Sequence, residues 1–221
     1  MADNGIEREF KLLLANDAER AALQALLPPA KRRLRQCNLL FDTADRALLR
    51  AGYSLRLREE GGCWSLTAKG PCCRPQRGPA QRREAERTVP AAIAAHLKAG
   101  TADPLPLLHR ATPAGVALAL AREIERAADG APVLPSGSFR NDRDEIPLVL
   151  PTGLAAVLAF DCTVFDERTT EYEVELELTD DGPAEPAEAW LAELFSRAGI
   201  PRRAAASKCA RFEAHRLANG R

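Results

Sequence analysis

Two segments of the sequence place charges of one sign at every second position. The acidic row consists of Glu171, Glu173, Glu175 and Glu177. The basic row consists of Arg56 and Arg58. If these segments are strands, each row lies on one face, because alternate side chains of a strand point the same way. Clustered carboxylates suit a hard divalent cation such as Mg²⁺ or Mn²⁺, and clustered basic groups suit phosphate oxygens.

Three more segments alternate in the same manner, and in the first two the opposite face is mainly apolar. Their polar rows are Glu7, Glu9 and Lys11; Ser65, Thr67 and Lys69; and Arg82, Glu84 and Glu86. An ordinary antiparallel sheet with one solvated face shows the same alternation, so this interpretation stays open. Segregation by sign argues against it, because glutamates about 7 Å apart repel each other by roughly 2 kcal/mol at an effective dielectric near 20. Such a row gains from a cation placed against it.

Eight strands and several helices are predicted to position these rows. The strands are expected at 6–13, 37–41, 53–59, 63–69, 82–89, 138–150, 154–165 and 170–179. Helices are expected from Asn16 or Asp17 to Pro28, over 90–128 with breaks at the prolines, from Pro186 to Gly199, and from about Ser207. Hairpin-length links, and a Gly- and Pro-containing loop at 70–80, favour an antiparallel sheet. The predicted fold class is α+β, and an eight-stranded barrel closed with its polar faces inward would hold a small ligand.

Composition is typical of one globular domain spanning residues 1–221. The 31 Lys+Arg residues balance the 31 Asp+Glu residues, and 46% of the chain is hydrophobic. This composition excludes a disordered or fibrous chain, and the neutral total excludes a broad positive field for nucleic acid or an acidic membrane. We therefore expect a small-molecule ligand, no nucleic-acid or membrane partner, and a monomer or homodimer.

Several other features predict an ordinary cytoplasmic protein. The six cysteines lack CxxC spacing and are expected to be reduced thiols. The N-terminal segment has no apolar secretory core, and no apolar run approaches the ~20 residues that cross a bilayer. The three histidines are scattered, common nucleotide-loop and hydrolase motifs do not occur, and 31–33 (KRR) is interpreted as a solvated turn.

The charged segments occur in an order that resembles the CYTH superfamily, the triphosphate tunnel metalloenzymes. The resembling segments are Glu7-x-Glu9-x-Lys11, FDTADRALLRAGYSLRLRE, LTAKG, QRREAE, AFD, EVELEL and ASKCAR, between about residues 5 and 217. This superfamily includes bacterial inorganic triphosphatases, thiamine triphosphatases, class IV adenylate cyclases and fungal RNA triphosphatases. The spacing around Arg56 and the EVELEL segment resembles the bacterial inorganic triphosphatases more than the cyclases.

The resemblance implies an eight-stranded tunnel that holds a triphosphate together with Mg²⁺ or Mn²⁺. The implied metal ligands are Glu7, Glu9, Glu173 and Glu175, with Glu177 as a fifth candidate. The implied phosphate-binding residues are Lys11, Arg56, Arg58, Lys69, Arg82, Lys208 and Arg143, which is favoured over Arg140. Asp161 resembles the interior aspartate of the family, Glu84 is expected to orient Arg82 or a water molecule, and both are counted with Lys69 as catalytic candidates.

The predicted activity is metal-dependent hydrolysis of inorganic triphosphate to diphosphate and phosphate. Hydrolysis of thiamine triphosphate, cyclisation of ATP, and polyphosphate binding without catalysis remain alternatives. The glutamate row argues against the last, because a pure anion binder has no use for carboxylates that face its ligand. The register after Arg143 stays open, because 144–147 (DEIP) interrupts a segment that is a hydrophobic strand in the family.

Overall fold

A computed structural model describes residues 4–73 and 78–219, so part of the predicted loop at 70–80 lies outside the described residues. The strands are β1 (Ile6–Leu14), β2 (Arg32–Asp42), β3 (Ser54–Glu60), β4 (Cys63–Lys69), β5 (Ala80–Val89), β6 (Leu134–Val149), β7 (Ala155–Val164), β8 (Thr170–Leu178) and β9 (Arg203–Ala204). The helices are α1 (Asp17–Gln24), α2 (Ala47–Arg50), α3 (Ala91–Lys98), α4 (Leu105–Leu108), α5 (Ala114–Ala128), α6 (Glu185–Ala198) and α7 (Lys208–Ala218). None of the helices in these ranges is both long enough and apolar enough to cross a membrane.

The strands form a closed antiparallel barrel, which confirms the predicted fold class. Neighbouring strands follow the order β5-β4-β3-β2-β6-β7-β8-β1, and β1 also pairs with β5 to close the circle. The closing pairs run from Ile6 opposite Arg83 to Glu9 opposite Ala80. Short β9 adds to the far half of β1, opposite Leu12 and Leu13.

The two larger of the three hydrophobic core clusters among the described residues lie outside the barrel, between strands and helices. One cluster packs Leu57 and Leu66 against Leu120 of α5. The other packs Leu158 of β7 against Phe195 of α6. Each fully buried Leu or Phe side chain contributes roughly 2 kcal/mol. Because the apolar face of the strands is used in this way, their polar face is left to line the inside.

Helix α7 covers one end of the barrel. Its N-cap is Ser207, whose hydroxyl oxygen accepts a hydrogen bond from the backbone N–H of Ala210 at 3.2 Å. The ring of Phe212 packs against Phe139 and Phe165, with centroid distances of 6.0 and 6.1 Å. The helix therefore begins beside the barrel opening and directs the side chain of Lys208 inward.

One prediction about β2 is wrong, and the open register of β6 is resolved. The 31–33 segment is not a solvated turn, because Arg32 and Arg33 begin β2 and pair with β6. The DEIP segment does not interrupt β6, which continues to pair with β7 through Pro147, opposite Val157. Proline is tolerated there because the pairing of β2 with β6 ends at Glu145, so that beyond this point β6 has a free edge.

Candidate active site

The barrel encloses a cavity of about 530 Å³ whose wall is strongly charged. All the basic residues predicted to bind phosphate line it: Lys11, Arg56, Arg58, Lys69, Arg82, Arg143 and Lys208. The predicted carboxylates Glu7, Glu9, Glu84, Glu175 and Glu177 line it as well. Asp161 and Glu173 lie behind this lining, in the wall, and are 0% and 1% exposed. Arg143 points inward and Arg140 is exposed, so the geometry decides between the two.

Strand register brings the acidic and basic rows into contact. Lys11 of β1 lies directly opposite Glu175 of β8, and Glu7 lies opposite Arg82 of β5. Residues opposite each other in an antiparallel pair share a face, with Cβ atoms about 5 Å apart. Like charges that repel along one strand therefore find opposite charges on the next strand.

Glu7 is the centre of one ion-pair group. Its two carboxylate oxygens accept hydrogen bonds from Lys69 Nζ at 2.6 Å and from Arg82 Nε at 2.7 Å. Burial alone would raise the pKa of Glu7, but Lys69 and Arg82 hold it well below its usual range. Glu84, which was expected to orient Arg82, instead lies 3.2 Å from Lys69 Nζ, and Arg82 is oriented by Glu7 and by Glu9 at 3.5 Å.

Asp161, Glu173 and Glu175 form a buried group that we call the carboxylate triad. One oxygen from each lies within 4.8 Å of the other two. Lys208 Nζ lies among them, 2.7 Å from Asp161 Oδ2, 2.8 Å from Glu175 Oε1 and in contact with Glu173 Oε1. Burial lowers the pKa of the Lys208 ammonium, and Asp161 opposes this effect.

Further cations hold the triad from its sides. The guanidinium of Arg143 donates two hydrogen bonds to Asp161, at 2.8 and 2.6 Å, and also contacts Glu175. Burial would raise the pKa of Asp161, but Arg143 and Lys208 hold it well below its usual range. Asp161 therefore stays ionised, and its contacts are those of a residue that positions Arg143 and Lys208 instead of taking up a proton.

Arg56 and Arg58 differ from all the other cations of the cavity. Among the described residues, neither has a carboxylate oxygen within the 4.0 Å of an ion pair, and the buried Nε of Arg56 has no hydrogen-bond partner. Arg58 Nε donates a hydrogen bond to Asn38 Oδ1 at 3.1 Å. Burial, together with repulsion from Arg56 and Arg143, lowers the pKa of Arg58 to about 9. Arg56 and Arg58, which we call the β3 wall, thus form an electropositive surface that no ion pair with a described residue neutralises.

Three residues of the site were not predicted. Asn38 is 1% exposed and orients Arg58, while its Nδ2 lacks a partner. Asn141 donates a hydrogen bond to Asp161 Oδ1 at 2.8 Å. Arg211 bridges Glu171, at 2.5 Å, and Glu173. Only Arg211 had a usable signal, because it follows Lys208 by three positions and residues three apart lie on one face of a helix.

The donor chemistry of the site fits a divalent metal ion. The available ligand atoms are carboxylate oxygens, from the buried carboxylate triad, from buried Glu7 and Glu9, and from half-buried Glu177 on the neighbouring wall. Hard ions with six oxygen ligands prefer such donors, and soft transition metals do not. Each triad carboxylate also has a cationic partner, so a metal ion would enter a group of charges that is already balanced.

Comparison with solved structures shows the same fold in several organisms. The putative adenylyl cyclase HpAC1 from Hippeastrum, described as having a dominant triphosphatase activity, is 27% identical with a TM-score of 0.75, over 95% of this chain and 96% of that one. A putative adenylate cyclase from Bacillus halodurans is 19% identical with a TM-score of 0.66, over 94% and 98%. PH1819 from Pyrococcus horikoshii is 16% identical with a TM-score of 0.52, over 89% and 92%.

Sequence comparison supports one family assignment. None of the curated proteins matches the sequence significantly. The family model of the CYTH domain matches residues 5–212, nearly the whole chain, including every strand of the charged barrel. The chain belongs to the CYTH domain family.

Proposed function

We propose that this protein hydrolyses inorganic triphosphate to diphosphate and phosphate, with Mg²⁺ or Mn²⁺ as cofactor, as the bacterial inorganic triphosphatases of the family do. Membership of the CYTH family supports a hydrolase, and HpAC1 is described as having dominant triphosphatase activity. The cavity of about 530 Å³ falls within the ~300–1,000 Å³ that is usual for small-molecule sites.

The observation that carries the proposal is the electropositive β3 wall. Arg56 and Arg58 extend into an enclosed cavity with no carboxylate to pair with among the described residues. A buried guanidinium that lacks an ionic partner is unfavourable unless a ligand supplies the charge. Phosphate oxygens match the planar donor fork of arginine, so a phosphate group is the partner of choice.

The remaining five cations would hold the rest of the polyphosphate chain. Lys69 and Arg82 lie on one side of the cavity, and Lys11, Arg143 and Lys208 lie beside the carboxylate triad. Together with the β3 wall they surround an extended anion, so that its terminal phosphoryl group is held in one orientation. Positioning and charge neutralisation of this kind supply most of the rate enhancement in phosphoryl transfer.

The carboxylates would serve the metal ion and the attacking water. Glu7, Glu9, Glu173, Glu175 and Glu177 are the proposed ligands. A divalent cation at these oxygens supplies Lewis-acid polarisation of the phosphoryl group and neutralises developing charge. Glu84 lines the cavity beside Lys69 and is our candidate for orienting the water that attacks in line. Asp161 keeps Arg143 in place and holds Lys208 in the ligand-free protein.

Cyclisation of ATP is the second candidate, because two similar structures are described as putative adenylate cyclases. A nucleotide needs a surface for its base. In the described part of the chain, Trp64 and Phe139 are the aromatic residues that line the cavity, and Phe139 packs against α7. Phosphate binding by Arg56 and Arg58 needs no such surface, so tripolyphosphate remains our first candidate.

The test is a phosphate-release assay with tripolyphosphate, ATP, thiamine triphosphate and diphosphate, each with Mg²⁺ and with Mn²⁺. We expect tripolyphosphate to be the preferred substrate and chelation of the metal to abolish turnover. Glu9→Gln and Glu175→Gln should fold but lose metal-dependent phosphate release, whereas Glu193→Gln, on the exposed face of α6, should keep it. Full activity in either of the first two variants, or a preference for ATP, would contradict the proposal.

A further inference from the structure

Lys208 lies in the position that a metal ion would take in the carboxylate triad. Its ammonium is 2.7 Å from Asp161 and 2.8 Å from Glu175, and it also contacts Glu173. These carboxylate oxygens are close enough together to share a single ion. We propose that Lys208 is the resident cation of the carboxylate triad, and that the metal ion and the triphosphate displace it together. The inference rests on the proposed function, because it concerns the same metal and the same anion.

Charge balance prevents the metal ion from simply joining Lys208. Each carboxylate of the triad has a cationic partner other than Lys208. Arg143 contacts both Asp161 and Glu175. Lys11 also contacts Glu175, and Arg211 contacts Glu173. Every carboxylate of the triad is therefore neutralised without metal. Metal–oxygen distances are about 2.0–2.6 Å, so a divalent ion bound to the same oxygens would crowd the ammonium and add two unmatched positive charges.

The anion provides the place to which Lys208 can move. Lys208 lines the cavity, and its long flexible side chain starts from the first residue of α7. When a phosphate group occupies the cavity, the ammonium can leave the triad and donate to phosphate oxygens, and the vacated oxygens can accept the metal ion. Triphosphate thus frees the carboxylate oxygens for the metal ion, and the metal ion in turn frees the ammonium of Lys208 for triphosphate. By linkage, the metal ion must raise the affinity for triphosphate by the same factor as triphosphate raises the affinity for the metal ion.

Arg56 provides the internal comparison. It lines the same cavity but contacts no carboxylate of the described chain, so it holds no position that a metal ion needs. Removal of Lys208 should therefore strengthen the binding of metal alone, whereas removal of Arg56 should leave it unchanged. A model in which both residues serve only to attract phosphate predicts no difference between them.

The experiment measures Mn²⁺ binding to the ligand-free protein from the electron paramagnetic resonance signal of the free ion. We expect Lys208→Met to bind Mn²⁺ on the order of tenfold more tightly than the wild type, and Arg56→Met to bind it like the wild type. Lys208→Met combined with Glu173→Gln should lose the gain, which places the ion in the triad. Circular dichroism and thermal unfolding establish that each variant is folded.

A second measurement uses the wild type alone. Imidotriphosphate, a non-hydrolysable analogue, is titrated by equilibrium dialysis with and without Mn²⁺, and the association of Mn²⁺ with the free analogue is subtracted. We expect the analogue to bind on the order of tenfold more tightly with the metal.

Equal Mn²⁺ affinity in the wild type and Lys208→Met, or analogue binding that is independent of metal, would overturn the exchange but leave hydrolysis standing. A tenfold gain in Mn²⁺ affinity in Lys208→Met, together with no release of phosphate from tripolyphosphate by the wild type, would uphold the exchange and overturn the proposed substrate.

Discussion

Arg58 and Arg82 give the sharpest test of which cations of the cavity are neutralised in the ligand-free protein. The same substitution at these two positions should have opposite effects on stability. Both arginines line the cavity. Arg82 is paired with Glu7 at 2.7 Å, whereas the hydrogen-bond partner of Arg58 among the described residues is the neutral side chain of Asn38, at 3.1 Å. We expect Arg58→Gln to stabilise the ligand-free protein and Arg82→Gln to destabilise it.

The magnitude for Arg58 follows from its pKa. A fall from 12.5 to about 9 corresponds to roughly 5 kcal/mol of free energy spent on keeping the charge in the folded protein. Glutamine places an amide N–H at the position of Arg58 Nε, so the hydrogen bond to Asn38 is kept. Burial of an imperfectly paired amide costs about 1–3 kcal/mol. The net gain in the free energy of unfolding should therefore be about 2–4 kcal/mol.

The change in the free energy of unfolding expected for Arg82→Gln has the opposite sign. Burial would lower the pKa of Arg82, but Glu7 and Glu9 raise it well above its ordinary value. A glutamine keeps one hydrogen bond to Glu7 but leaves this carboxylate with fewer cations around it. Breaking one side of a buried ion pair costs about 3–5 kcal/mol, and the partial retention of contacts makes the lower end the expected value.

Urea unfolding at pH 7 and low salt measures both effects, because urea does not screen charges. With a slope of about 2–3 kcal/mol per molar, the midpoint should rise by about 1 M in Arg58→Gln and fall by about 1 M or more in Arg82→Gln. Both variants should bind triphosphate less tightly. If Arg58→Gln is destabilised as much as Arg82→Gln, Arg58 is already neutralised in the ligand-free protein and the electropositive β3 wall does not exist.

Two more outcomes are expected. Because the pKa of Glu7 is lowered in the folded protein, its carboxylate contributes stability that is present above about pH 4.5 and is lost as the pH falls through the folded-state pKa. Glu7→Gln should therefore be less stable than the wild type at pH 7. The difference in urea midpoint between the two proteins should shrink towards pH 3. A Cβ at Gly137 would lie 2.5 Å from the ring of Phe212, so Gly137→Ala should displace α7 and lower the free energy of unfolding by about 1–3 kcal/mol. Triphosphate binding, measured by calorimetry, should weaken as well. Unchanged binding would show that the position of α7 does not matter for the site.

The strands and their inward faces could be predicted because alternation is a local property of the sequence. Predicted 63–69 coincides with β4, and the acidic row of 170–179 lies on β8 with Glu173 and Glu175 inside. Side chains of a strand alternate between the two faces of the sheet, so placing one residue on a face also assigns every other side chain of that strand to a face. The resemblance to the CYTH superfamily then selected the closed barrel, which periodicity alone left open.

The individual contacts could not be predicted, because they depend on the register between strands and on helix docking. The family resemblance grouped Glu173 and Glu175 with Glu7 and Glu9 as metal ligands, whereas the structure brings the first two together with Asp161 of β7. Register places it directly opposite Glu173. The strand predicted at 138–150 coincides with most of β6, but its register beyond Arg143 could not be predicted, because the unpaired edge that accepts Pro147 depends on where β2 ends.

The acidic row of β8 is stable because the cations that pair with its carboxylates lie on several other elements. Glu171 is matched by Arg211 and His215, at 2.5 and 2.6 Å, and Glu175 is matched by Lys11 and Arg143. A row that repels itself along one strand is therefore neutralised from α7, β1 and β6. The same matching limits what the cavity offers a ligand, because a cation held by a carboxylate attracts phosphate only weakly. Affinity for an anion must then come from Arg56 and Arg58 first, and from the other cations only as their carboxylates acquire a metal ion.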